Sequence, residues 1–144
     1  MFRQLLLAGG ISVIAIAIHA SVMTIVVWVA KTANAKSTSH PYLRLIGVLI
    51  PTVTVLMITH TVEVIIWSGA YWIVDAAPAG ADLIYFAFVN YTTLGYGDVL
   101  PVERWRLLGP ATAMNGVLLF GWSTAVIFEV LRRTMTASAD SLPR

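Results

Sequence analysis

A polar, glycine-bearing heptad, Thr92-Thr93-Leu94-Gly95-Tyr96-Gly97-Asp98, lies between apolar segments long enough to cross a bilayer. That placement constrains the fold more than any other feature of the chain. Lipid offers no partner to exposed N–H and C=O groups, so irregular backbone at membrane depth is tolerated only where it is packed in protein or lines a watery cavity. The sequence is 58% hydrophobic and 11% charged, against roughly 25% charged in soluble domains. It therefore reads as a membrane protein with little mass outside the bilayer, and the heptad is expected to line a pore.

Residues 5–30 are apolar apart from small or weakly polar residues and His19. At about 1.5 Å per residue such a run crosses a hydrocarbon core of about 30 Å. A cleaved signal peptide with Arg3 as its basic flank competes with this reading. The run exceeds the usual apolar region of about 7–15 residues, however, and no small-x-small cleavage site precedes a mature domain. Residues 31–40 form a polar loop carrying Lys31 and Lys36. Residues 42–72 read as a second span that Pro51 is expected to bend, with Trp67, Tyr71 and Trp72 as an interfacial belt at its outer end. A turret at 75–80 contains Pro78.

Residues 81–92 make only about three turns of helix, too short to cross. Asp82 stands at the start of this segment, and Tyr85, Phe86 and Phe88 lie along it. Residues 99–106 return along the outer surface, and 107–131 form the last span, closed by Arg132 and Arg133. The tail, 134–144, is expected to be disordered and cytoplasmic. Threading three spans with a re-entrant loop puts Lys31, Lys36, Arg44, Arg132 and Arg133 on one side. By the positive-inside rule that side is cytoplasmic, which leaves the N-terminus and Asp98 outside. Arg3, Arg104 and Arg106 are the exceptions.

A net charge of +2 gives no reason to expect nucleic acid, and the absence of cysteine excludes disulfides, thiolate metal sites and a cysteine nucleophile. No nucleophile–base pair lies near a plausible cleft, so no enzymatic activity is expected. Arginines at every third position, the mark of a voltage sensor, are missing from the first two spans.

Replacing the hydration shell of a cation requires successive backbone carbonyls that all point inward, which forces alternate residues out of the usual φ/ψ basins. Gly95 and Gly97 allow this, because glycine reaches positive φ without a Cβ clash. The string TTLGYGD resembles the selectivity-filter signature of tetrameric potassium channels, T-V/I/L-G-Y/F-G-D, and the match includes every filter position. The resemblance covers residues 42–133. It implies an all-α membrane protein with three transmembrane helices, a re-entrant pore helix and a filter loop, assembled as a homotetramer in the inner membrane. In these terms 41–133 is the pore domain and 1–40 adds a first helix and cytoplasmic loop; no regulatory domain is expected after 133.

By the same resemblance, Thr93, Leu94, Gly95, Tyr96 and Gly97 coordinate K+, flanked by Thr92 and Asp98, and Leu94 and Tyr96 turn outward to pack. K+ at the filter backbone is the only metal expected, as transported ion, and no cofactor is expected. Val117, Phe120 and Thr124 fall on cavity-facing positions of the inner helix, and their spacing places them on one helical face. Gly116 adjoins the family's hinge position and Gly121 follows a turn later. Gly109, Ala113 and Gly116 also form a small-residue stripe, and close packing is the favoured role for it. Where the family sometimes has a carboxylate behind the filter this chain has Val89, so Asp98 needs another partner; Tyr85 stands where the family often has an aromatic donor. A weakly selective cation channel and a non-conducting membrane subunit are the alternatives.

His60, Glu63 and Trp67 share one face of the second span. A charged side chain at such depth costs about 2.5–3.5 kcal/mol on insertion scales, so it needs a protein partner. Glu63 is expected to support the filter from behind by bonding His60, Asn90, Tyr91 or filter amides. Counted from Trp67 as the outer end, His60 and Glu63 lie in the outer half and His19 in the inner half, which leaves two ligands at one level and no metal site. Glu129 is expected to pair with Arg132 or Arg133 one turn on.

Overall fold

The structure is a computed structural model that describes residues 1–34 and 41–139. Four α-helices organise it: α1 (Phe2–Asn34), α2 (Pro41–Ile73), the short α3 (Leu83–Tyr91) and α4 (Leu108–Ala139). Three segments, Phe2–Thr32, Tyr42–Ile73 and Glu103–Thr136, are long and apolar enough to cross a membrane. A run of this kind must be helical in lipid, because only a helix satisfies its own backbone groups along its whole length. The architecture is all-helical among the described residues, with three membrane-spanning helices and one that is too short to span.

Several boundaries differ from those read in the sequence. α2 runs unbroken through Pro51 and on to Ile73, and α4 continues past Arg133 to Ala139, where a disordered tail from 134 is expected. Lys36 and residues 140–144 lie outside the described residues. Trp67 and Tyr71 are not a lipid-facing belt: both are fully buried, and only Trp72 of the three is exposed. The Trp67 indole donates to Asn115 Oδ1 at 3.0 Å, and the Tyr71 hydroxyl lies 2.6 Å from Thr112 Oγ1, so the two aromatics fix α2 to α4.

The bundle has two apolar layers. One contains Ala8, Ile11, Val64, Trp67, Tyr71, Phe86 and Leu108, and the other Met23, Val26, Leu56, Val126 and Val130. His19, His60, Glu63 and Ser123 lie between these layers in sequence on α1, α2 and α4. α1 packs against both α2 and α4. Near its start, Gln4 Oε1 accepts the Leu107 N–H at 2.9 Å, satisfying a donor at the beginning of α4. At the opposite end the Arg44 guanidinium donates to the Thr134 carbonyl at 3.2 Å.

Asp82 is the N-cap of α3, its Oδ1 accepting the Ile84 and Tyr85 N–H groups, each at 3.0 Å. The 75–80 segment turns through left-handed Asp75 and Gly80. The segment returning from the loop is held to it by the Val102 N–H to the Ala76 carbonyl at 2.8 Å.

Candidate functional site: the 92–98 loop and the polar cluster beneath it

α3 ends at Tyr91, and its last carbonyls are taken up by the loop that follows. The Thr93 N–H donates to the Asn90 carbonyl at 3.0 Å, and the Leu94 N–H to the Val89 carbonyl at 3.0 Å. Val89 thus holds the loop through its backbone oxygen, while its side chain is buried. Along the loop, φ is positive at Thr93 (62°), Gly95 (59°) and Gly97 (78°), and at no residue between them. The sign of φ thus alternates along the loop from Thr93 to Gly97. Two of the three residues are glycines, for which the conformation is free of Cβ strain. Thr93, exposed and held by its N–H to the Asn90 carbonyl, adopts it at a steric cost, and nothing in its residue type announces it.

Leu94 and Tyr96 do not pack within the chain, at 57% and 67% exposure. Val117 and Thr124 on α4 are also exposed, and the Thr124 hydroxyl donates to the Phe120 carbonyl of its own helix. At the end of the loop the Tyr85 hydroxyl donates to Asp98 Oδ2 at 2.6 Å. That bond holds the Asp98 carboxyl below the usual carboxylate range and raises the Tyr85 phenol.

Beneath α3 lies the polar cluster. Glu63 is fully buried, and its two oxygens are approached from three helices. His19 Nδ1 of α1 lies 2.8 Å from Oε1 and His60 Nδ1 of α2 lies 2.9 Å from Oε2. The Tyr91 hydroxyl, from the last residue of α3, donates to Oε2 and lies 2.9 Å from His60 Nδ1. On their far sides both imidazoles face Ser123 Oγ of α4, His60 Nε2 at 2.9 Å and His19 Nε2 at 3.4 Å. The rings of Trp122 and Phe120 cover the cluster, with centroids 5.4 Å from His19 and 4.5 Å from His60. Phe120, assigned to a cavity from sequence, thus also packs on His60.

Of the partners expected for Glu63, His60 and Tyr91 are present. Asn90 instead donates to the Phe86 carbonyl at 2.9 Å. The placement of His19 at a different depth is wrong. α2 extends to Ile73, so counting from Trp67 sets His60 and Glu63 too near the outer surface; His19 lies level with them and bonds Glu63 directly. Sequence reasoning missed Ser123, Asn115, Thr112 and Gln4. The signal available for them was that an isolated polar residue in an apolar helix needs a partner on another helix.

The small-residue stripe of α4 faces α3. A Cβ on Gly109 would lie 3.0 Å from Asn90 Oδ1, and one on Gly116 would lie 2.1 Å from the Tyr91 carbonyl oxygen, whereas Gly121 has nothing within 4 Å. At the other end of α4, Glu129 bonds the Arg132 guanidinium at 3.0 and 3.1 Å and also pairs with Arg133.

A family model described as ion channel matches residues 58–133, which covers the C-terminal part of α2, all of α3, the 92–98 loop and most of α4. No curated protein and no solved structure matches the chain.

Proposed function

The chain belongs to the ion-channel family, whose model spans more than half of it, and from that premise we propose that it is a potassium-selective channel conducting K+ passively through a homotetrameric pore. The observation that carries the proposal is the 92–98 loop, in which left-handed Thr93, Gly95 and Gly97 alternate with residues of ordinary φ. A dehydrated cation needs a cage of oxygens, and carbonyls aligned along one side of a strand are one wall of such a cage. A single chain supplies a single wall, so the cage requires further copies around an axis. The resemblance of TTLGYGD to potassium-channel filters supports four copies and K+ as the ion. Assembly also gives exposed Leu94, Tyr96 and Val117 something to pack against or face. The negative end of the α3 dipole, directed toward the loop, favours a cation there.

The test is flux through the purified protein in liposomes. Wild type is expected to pass K+ in preference to Na+. Gly95→Ala and Gly97→Ala are expected to abolish that preference or the conduction itself while still inserting, since each forces a Cβ into a left-handed residue. Equal K+ and Na+ permeability in the wild type would favour a weakly selective cation channel. Silence relieved by co-expressed protein would favour a non-conducting subunit. Unchanged selectivity in both glycine variants would remove the filter assignment.

The charge asymmetry supports a plasma-membrane orientation with the N-terminus outside and the C-terminus in the cytoplasm. Because the chain contains no cysteine, single cysteines report without background. An impermeant thiol reagent applied to intact cells should modify a cysteine replacing Arg3 and spare one replacing Lys31. The reverse pattern would invert the topology.

A further inference from the structure

We propose that His19, His60, Glu63 and Tyr91 form a binding site for a divalent transition-metal ion of the Zn2+ class, which fastens α1 to the pore-forming helices. The expectation of no resident metal rested on placing His19 at another depth, and the structure removes that ground. Ligand atoms of His19, His60 and Glu63 all lie within 4.8 Å of one another. The Tyr91 hydroxyl adds a fourth donor against both Glu63 and His60.

The donor set matches the ion. Two imidazole nitrogens, a carboxylate and a phenol oxygen suit Zn2+ and its neighbours rather than Ca2+ or Mg2+, which prefer oxygen. Metal–ligand bonds of about 2.0–2.2 Å in a tetrahedron separate neighbouring ligands by about 3.3 Å. The 2.8 and 2.9 Å separations, one to each Glu63 oxygen, would open by about half an ångström to reach that value, and the wider ones in the group, which extends to 4.8 Å, would close.

The arrangement around the ligands fits as well. Both rings turn Nδ1 toward Glu63 and Nε2 toward one hydroxyl, Ser123. Imidazoles that bind a metal through Nδ1 must carry their proton on Nε2, and a metal-bound histidine nearly always donates that N–H to an outer partner. Ser123 Oγ has two lone pairs and can accept both. Without a metal the carboxylate has only imidazoles for a counter-charge, since Glu63 pairs with no Lys or Arg among the described residues. The single Nδ1 proton of His60 must then serve both Glu63 and Tyr91. A cation at the centre is bonded by all four groups at once and supplies the counter-charge to the Glu63 carboxylate.

The cluster and its metal are independent of which ion the pore passes. The test uses the full chain purified in detergent through a histidine-free tag, with elemental analysis of bound metal and thermal unfolding in Zn2+ or a strong chelator. The wild type should carry about one metal ion per chain, with a midpoint that falls in chelator and recovers on adding Zn2+. His19→Ala and Glu63→Gln should lose the metal and the response together. Ser123→Ala, which keeps all four ligands, should bind with affinity reduced about 10–100-fold, a change that a merely structural serine would not produce. Wild type that is metal-free, takes up no Zn2+ and melts identically in chelator would overturn the proposal and leave a cluster held by protons alone.

Discussion

Gly116→Ala is expected to destabilise the protein by at least about 3 kcal/mol, the upper end of the usual cost of overpacking a core. A Cβ at this position would lie 2.1 Å from the Tyr91 carbonyl oxygen, 3.0 Å from its carbonyl carbon and 3.2 Å from its Cγ. The nearest atoms are backbone, so no rotamer change relieves the contact. Either α3 or α4 must move. Tyr91 cannot follow freely, because it is fully buried and its hydroxyl is bound to Glu63. Gly121→Ala provides the opposite sign: it has open space around it, and replacing glycine by alanine within a helix gains about 1 kcal/mol. Thermal unfolding of the two variants in detergent separates packing from a hinge. Were Gly116 to act as a hinge alone, Gly116→Ala would melt like wild type and change only channel opening. Were Gly121 the hinge, Gly121→Ala would be as stable as wild type or more so, yet conduct differently.

The same pair of glycines shows what a sequence of this kind discloses. The three spans are legible because lipid leaves a long apolar segment no alternative to helix, and α3 is legible because Asp82 caps a segment too short to cross. Which face of each span turns inward is not legible in the same way. A soluble helix marks its buried side by contrast with a polar one, but α1 and α2 are apolar on both the lipid side and the protein side. Trp67 and Tyr71 illustrate the consequence: read as aromatic anchors at an interface, they are core residues bonded to Asn115 and Thr112. That one error in locating the outer end of α2 displaced His60 and Glu63 from His19. Depth along an apolar helix is set by its neighbours, and Gln4 bonding Leu107 is what aligns α1 with α4. The backbone of the 92–98 loop was half legible. Gly95 and Gly97 announce positive φ by their chemistry, and Thr93 does not.

Glu63→Ala is expected to cost about 3–5 kcal/mol, the usual penalty when one partner of a buried charged pair is removed, and Glu63→Gln distinctly less. Both are to be compared in chelator, where no metal contributes. The ranking follows from counting protons. An ionised Glu63 accepts the Tyr91 hydroxyl and draws the proton of each neighbouring imidazole to Nδ1, giving it three donors in the wild type. Alanine leaves all three donors facing a cavity lined by buried His19 and Tyr91 and the largely buried His60. The glutamine amide offers one acceptor, which His60 and Tyr91 can share, and one NH2 group, which would oppose a donor at His19 unless that imidazole moves its proton to Nε2. Ser123 permits the move: its oxygen, 3.4 Å from His19 Nε2, can accept there while its own proton goes to His60 Nε2 at 2.9 Å. Every polar heavy atom of the cluster then has a partner, only one amide hydrogen is left over, and the site is uncharged. The stability order in chelator should therefore be wild type, Glu63→Gln, Glu63→Ala, even though both variants lose the response to Zn2+. If Glu63→Gln proved as unstable as Glu63→Ala under these conditions, negative charge rather than hydrogen bonding would be what the metal-free cluster requires. If Glu63→Ala melted like wild type, the cluster would not hold α1 against α2 and α3 at all.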